Sequence, residues 1–362
     1  MKGIAQTNKG IEDISTLEIK EIINSDSQAK EGFVIFEFND FKDLFKLSYS
    51  AQSLSRVLYL LGKFNKNKLE EISNLDLKEW LEGKTFAVAC EQAELRAEIG
   101  KHIPGKVNLS KPDITFFAIL DKDDMYLCID FSGDISKRQY RIFMGSETLK
   151  SGNAYALLRI AGYDAKKKLI DPFCRAGTIA IEAALYACRL SPNFFNKHDF
   201  PFVHFIKFSN IDFEKFFITI DKQSNLDRET GIFAIDRTFN NVQAAKKNAK
   251  IAGIIKKIDF SKTELEDLEL KFNENSIDLV ITEPIQPSKA IPDKIIDKIY
   301  KELFYQADFI LKEKGAVALI VKSGVEQLKK WASEYKFKCV SERKIMQGKE
   351  TWIILKIERV SS

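Results

Sequence analysis

The stretch that decides the fold is Lys168–Ala184, KLIDPFCRAGTIAIEAA. An apolar strand ends in an acid and a proline, a short turn follows, and an apolar helix begins. In the turn Asp171-Pro172-Phe173-Cys174-Arg175-Ala176-Gly177-Thr178, Gly177 lets the backbone approach a ligand closely, just where the next helix presents its unpaired N–H groups. Arg175 stands where such a turn would be expected to need glycine.

From this point to the C-terminus the chain alternates. Apolar strands read at KLIDPF, IFAID, KIDFSK, IDLVIT, AVALIV and TWIILKIE, and helices such as TIAIEAALYACRL and TFNNVQAAKKNAKIAG separate most of them. Such alternation predicts a mostly parallel, doubly wound α/β sheet whose last strands are antiparallel, with a ligand at the carboxyl ends of the strands. Upstream lie two smaller blocks. In the first, GIEDISTLEIKEII has near-helical spacing, GFVIFEF alternates like a strand, and a helix and strand follow to about Phe64. NKNKLEEISNLDLKEWLEGK reads as a polar helical bridge. In the second, TFAVAC reads as a strand, EQAELRAEIGKHI as a helix, and two further strands flank an acidic turn at Asp121–Asp124. The block closes on DISKRQYRIF, where Lys137, Arg138 and Arg141 cluster around Tyr140.

Composition narrows the class. The 362 residues are 45% apolar and 11% aromatic, enough to bury real cores. No run reaches the roughly 18–20 apolar residues of a membrane helix, and the N-terminus lacks a signal-peptide core, so a cytoplasmic protein is expected. Five scattered cysteines without a CxxC pair, and three histidines, argue against a metal site. Cys174 has no histidine near it in sequence and is expected to be a small packed side chain rather than a nucleophile. The net charge of +4 leaves any nucleic-acid contact to local clusters.

The chemistry concentrates at strand ends. Asp236 closes the strand after GIFAI, one βα unit beyond the turn, where an acid either caps the next helix or accepts hydrogen bonds from both hydroxyls of an adenosine ribose. A dinucleotide site would want GxGxxG in the first turn, which this chain lacks. S-adenosylmethionine, which carries no phosphate, fits the turn better.

DPFCRAGTIAIEAALYA resembles the first cofactor motif of the THUMP-domain RNA methyltransferases, DPFCGSGT followed by IEAA. YRIFMGSETLKSGNAYALLRIAGY is similar to the linker and helix that precede it, KVNLSKPDITFFAILDKDDMYLCIDFSG to the body of a THUMP module, and TNKGIEDISTLEIKEII to the ferredoxin-like opening of these proteins. The resemblance covers nearly the whole chain and is strongest to archaeal tRNA guanine-N2 methylases. It implies a ferredoxin-like domain over 1–65, a THUMP RNA-binding domain over 66–143 and a Rossmann-like methyltransferase domain over 144–362. It also implies S-adenosylmethionine as cofactor, tRNA or another structured RNA as partner, and a base flipped into the pocket. Nothing in the residues identifies a partner subunit.

By position, the resemblance assigns cofactor binding to Asp171, Phe173, Cys174, Gly177, Thr178, Asp236 and Glu264, and phosphate contact to Lys137, Arg138 and Arg141. In DLVITEPIQPSK, Glu283 and Pro284 stand at the first two positions of the family's D/N-P-P-Y/F segment, whose first residue accepts a hydrogen bond from the target amine. Ile285 and Gln286 replace the second proline and the aromatic, which would remove a stacking contact of about 1–3 kcal/mol. Glu264 stands where the family has Asp, and Arg175 where it has glycine. A guanidinium there would lie near the cofactor's positive sulfur and weaken its binding. Two readings stay open: an active methyltransferase of a base exocyclic amine, most simply guanine N2, and a catalytically weakened relative that binds RNA.

Overall fold

The computed structural model describes residues 1–145 and 149–360. Ser146, Glu147 and Thr148, in the stretch that resembles the linker, lie outside the described residues. The chain divides into two compact units. One comprises Met1–Thr7, Ser15–Ile135 and Asn193–Gln223, and the other Asn8–Ile14, Ser136–Pro192 and Ser224–Ser362.

The first unit is built on one sheet. Its strands are β1 (Lys2–Thr7), β2 (Ser27–Lys30), β3 (Phe33–Glu37), β4 (Leu54–Asn65), β5 (Thr85–Ala89), β6 (Lys106–Val107), β7 (Ile114–Asp121) and β8 (Asp124–Asp130), in the order β2-β3-β1-β4-β8-β7-β5-β6. The seam is β4, which pairs antiparallel with β1 along one edge and with β8 along the other. Residues 1–65 and 66–130 therefore share a single sheet. The strand β1 escaped the sequence reading because KGIAQT carries only two apolar side chains of any size. The polar bridge after β4 forms only short turns, Leu69–Asn74 and Lys78–Leu81, anchored by buried Leu69, Ile72, Trp80 and Leu81.

Residues 193–223 interrupt the second unit in sequence yet cluster with the first. Their phenylalanines explain it. Phe200, Phe202, Phe205, Phe208 and Phe217 are buried in the same apolar cluster as Phe45, Trp80 and Phe131. The Phe45 and Phe202 rings stack at 4.4 Å between centroids. A fragment ending near Gly145 would leave this cluster without five of its fourteen buried aromatic side chains.

The second unit carries β9 (Leu169–Asp171), β10 (Ile232–Asp236), β11 (Asp259–Lys262), β12 (Ile277–Thr282), β13 (Leu311–Val321), β14 (Phe337–Gln347) and β15 (Glu350–Arg359), ordered β11-β10-β9-β12-β13-β15-β14. β9 to β13 run parallel, and β15 is antiparallel to both β13 and β14. This is the α/β sheet with antiparallel last strands that the alternation predicts. Helix Thr178–Cys188 is buried along nearly its whole length, which suits its composition of Ala, Ile and Leu. No helix among the described residues is long and apolar enough to cross a membrane.

Because Phe202 is fully buried among stacked rings, Phe202→Ala should destabilise the first unit by about 3–5 kcal/mol, read as a lower denaturant midpoint in chemical unfolding. A cost below 1 kcal/mol would show that residues 193–223 are not part of that core.

Candidate active site

The adjacent parallel strands β10, β9 and β12 bring Asp236, Asp171 and Glu283 to one end of the sheet. Asp171 is buried, and its Oδ1 accepts from the Phe173 N–H at 3.2 Å and from Thr282 Oγ1 at 2.5 Å. This ties the start of the turn to the last residue of β12. Within the turn, the Cys174 N–H donates to the Ile235 carbonyl at 2.8 Å and the Gly177 N–H to the Cys174 carbonyl at 2.6 Å. Gly177 has φ +85°, and a Cβ there would lie 2.9 Å from Cβ of Ala245. Both the backbone angle and the approach of helix Phe239–Ile251 therefore require glycine. Thr178, which opens helix Thr178–Cys188, is buried, and its Oγ1 has no hydrogen-bond partner among the described residues. Cys174 is a buried thiol in this turn.

Asp236 receives hydrogen bonds at the head of the following helix and from the turn after β9. Its Oδ1 accepts from the Thr238 N–H at 2.8 Å and Asn241 Nδ2 at 3.1 Å, capping the following helix, while its Oδ2 accepts from the Arg175 N–H at 3.1 Å. A carboxylate offers about four acceptor sites, so these three donors leave about one open. Glu264 lies just past β11, beside β10, with its side chain exposed.

Arg175 has a charged partner at this end of the sheet. It is held at φ +44°, a left-handed conformation uncommon for a side-chain-bearing residue. Its Nη1 forms an ion pair with Oε1 of Glu283, and its Nη2 reaches the Pro284 carbonyl at 3.5 Å. Gln286 donates from Nε2 to the same Oε1 at 3.2 Å, and its own Oε1 accepts from the Lys322 N–H at 2.6 Å. The other carboxylate oxygen of Glu283, Oε2, is buried and has no partner among the described residues. Burial raises the Glu283 carboxyl above its ordinary value, and Arg175, then Gln286 and Lys322, pull it back. The expectation that Arg175 confronts a cofactor with an uncompensated charge is thus corrected, because Glu283 is its counter-ion.

The expected phosphate cluster also changes. Arg138 is 4% exposed, and its Nε donates to Oε1 of Glu182 at 3.0 Å. The Tyr140 hydroxyl donates to the same oxygen at 2.8 Å. Burial, and then the Glu182 charge, pushes the Tyr140 hydroxyl well above the usual phenol range. Arg138 is therefore an interior anchor and not a phosphate contact, whereas Lys137 is exposed and Arg141 half-buried. Two signals pointed to this: Arg138 and Tyr140 alternate with exposed neighbours, and Glu182 is the one charge in helix Thr178–Cys188.

Asn248 was not singled out in the sequence. It is fully buried, accepts from the Phe143 N–H at 3.0 Å, and donates to the carbonyls of Phe143 and Ala176 at 3.0 Å each. It pins the chain after Arg141 to the turn after β9 and leaves the Phe143 ring 40% exposed under Lys247 Nζ, 4.8 Å from its centroid. No cluster of three or more His, Cys, Asp or Glu suited to a metal occurs among the described residues.

The family of RMKL-like methyltransferase domains matches residues 138–352, more than half of the chain. A tRNA (guanine(6)-N2)-methyltransferase of Methanocaldococcus jannaschii is 28% identical, the alignment covering 94% of this chain and 95% of that protein. A ribosomal RNA large subunit methyltransferase K/L of Shewanella pealeana is 32% identical over 41% of this chain, which spans only 22% of that longer protein. The folds of SMU.472 complexed with SAH and of TrmN from Thermus thermophilus superpose with TM-scores of 0.83 and 0.72 at 21% and 18% identity. The first covers 100% of this chain and 98% of that one, the second 99% of each. This chain belongs to the RMKL-like methyltransferase-domain family.

Because Arg138 is half of a buried ion pair, Arg138→Ala should cost about 3–5 kcal/mol, whereas Lys137→Ala should stay within about 0.5 kcal/mol. Thermal unfolding of the two variants distinguishes them. Equal, small effects would return Arg138 to the surface.

Proposed function

We propose that this protein is an S-adenosylmethionine-dependent RNA methyltransferase acting on an exocyclic base amine, guanine N2 in a tRNA. The observation that carries the reading is Oε2 of Glu283, a buried carboxylate oxygen without a partner among the described residues, at the end of β12 and next to the turn after β9. Such an oxygen calls for an N–H donor from a ligand.

The residues present fit the cofactor. Gly177 keeps a close approach open, the orphaned Thr178 hydroxyl lies at the start of the helix, and Asp236 retains one acceptor site for a ribose hydroxyl. Phe173, Cys174 and Glu264 border the same strand ends. When bound, the cofactor supplies a methyl group on a positively charged sulfur that departs as a neutral thioether. Glu283 accepts one N–H of the amine, which turns the nitrogen lone pair toward the carbon to be taken up. It then receives the proton released once the N–C bond has formed. Pro284 limits the backbone freedom of the segment. Gln286 gives no stacking face, since its amide is engaged by Glu283 and Lys322.

The β-α-β-β-α-β order through β4 supports a ferredoxin-like reading of residues 1–65, and the strand–helix–hairpin succession after it a THUMP reading of residues 66–143. We assign RNA phosphate contact to Lys137 and Arg141, and a cytoplasmic location goes with an RNA substrate. One observation favours the second reading, an RNA-binding relative without catalysis: the Arg175 guanidinium lies against both Glu283 and the Pro284 carbonyl.

The test is to incubate the full chain with methyl-labelled S-adenosylmethionine and unmodified tRNA transcripts, then digest the RNA to nucleosides. Label should appear in N2-methylguanosine, and Glu283→Ala should reduce it by about 100-fold or more while S-adenosylmethionine still binds by calorimetry. Changing Lys137 and Arg141 to alanine should lower the salt slope of tRNA binding by about 2. Cofactor binding without transfer to any RNA would favour the second reading, and label on another atom would refute the amine.

A further inference from the structure

The two charged departures from the family pattern touch each other. Arg175 comes from the turn after β9, and Glu283 from the end of β12. Their contact is one-sided. Oε1 of Glu283 receives Arg175 Nη1 and Gln286 Nε2, whereas Oε2 is buried and has no donor to accept from among the described residues. We infer that Arg175 is the positioning residue of this active site: it binds one oxygen of Glu283 so that the other is presented, ionised, to the substrate amine. The inference rests on the functional reading above and adds a residue to it.

A carboxylate buried as Glu283 is, at 4% exposure, would take up a proton unless a cation compensates it. A protonated carboxyl cannot serve as the acceptor for a departing proton. The charged groups that bear on Glu283 are Arg175 and, behind Gln286, Lys322, whose ammonium is itself engaged by Glu350 at 2.7 Å. Arg175 is the nearer and stronger of the two. Its own place is fixed from behind, since its N–H donates to Asp236. The guanidinium therefore has a set origin. Arg175 and Glu283 form one unit, so neither should be exchangeable alone.

The experiment uses the full-length protein, labelled S-adenosylmethionine and unmodified tRNA transcripts, across pH 5.5–9. Arg175→Met removes the charge and keeps the bulk. It should lower kcat by about tenfold or more at neutral pH and move the acidic limb of the pH–rate profile to higher pH, so that part of the loss is regained on the alkaline side. Arg175→Lys should hold the limb close to its original place. Arg175→Met combined with Glu283→Gln should be no slower than the slower single variant, because an amide needs no counter-ion. A second readout needs no activity. A carboxyl raised by burial destabilises the fold once pH climbs through it, so the loss of Tm in Arg175→Met should be larger at pH 8 than at pH 5.5. An unmoved limb in an active Arg175→Met, or an equal loss of Tm at both pH values, overturns the inference while leaving the methyltransferase reading intact. An Arg175→Met faster than the natural chain overturns it too, by showing the side chain to be an obstruction. Absence of transfer by the natural chain itself overturns both.

Discussion

Three parallel strand ends meet at Arg175. Its backbone N–H is received by Asp236 after β10, its guanidinium by Glu283 after β12, and its own turn follows β9. The residue holds a left-handed backbone angle, which costs a side-chain-bearing residue on the order of 1–2 kcal/mol. Contacts at both ends of the residue offset that cost. The geometry of the reactive centre follows from this crossing: the tilt of Glu283, the orientation of Gln286 between it and Lys322, and the single acceptor site that Asp236 keeps.

A second buried carboxylate governs how the chain enters this centre. Glu182 is fully buried and receives both Arg138 and Tyr140, so the segment from Ser136 to Phe143 is fastened to the helix that follows the cofactor turn. Asn248 completes the fastening by holding Phe143 and Ala176 with one amide. Residues that read as a basic surface cluster thus divide, Arg138 anchoring inward, Lys137 exposed and Arg141 half-buried. Buried carboxylates need such donors, and here Arg138 and Tyr140 bring two of them to Glu182 from the linker.

Much of the fold was legible because period and punctuation agreed. The strand–turn–helix at Lys168–Ala184 and the alternation after it led directly to the parallel sheet and its antiparallel end. Other parts were not legible, for local reasons. β1 is short and half polar, so it forms only because β3 and β4 flank it. Among residues 193–223, Phe213, Phe216 and Phe217 stand at helical spacing, yet where these phenylalanines pack depends on partners far away in sequence, such as Phe45 and Phe131. At this end of the sheet, Asp171 and Asp236 were legible as strand ends and Gly177 as a turn residue, whereas Glu283 was picked out only by the family resemblance. The pairing of Arg175 with Glu283 was not legible, although one clue was available: two departures of opposite charge in segments that a common sheet end brings together.

The central claim is that Arg175 keeps the Glu283 carboxyl ionised. The most direct measurement is a carbon NMR titration of that carboxyl in glutamate-labelled protein, assigned by its absence in Glu283→Gln, and compared between the natural chain and Arg175→Met. The account predicts a midpoint that moves upward when the guanidinium is removed, since burial then acts with only Lys322 and Gln286 to oppose it. An identical midpoint in the two proteins would contradict it.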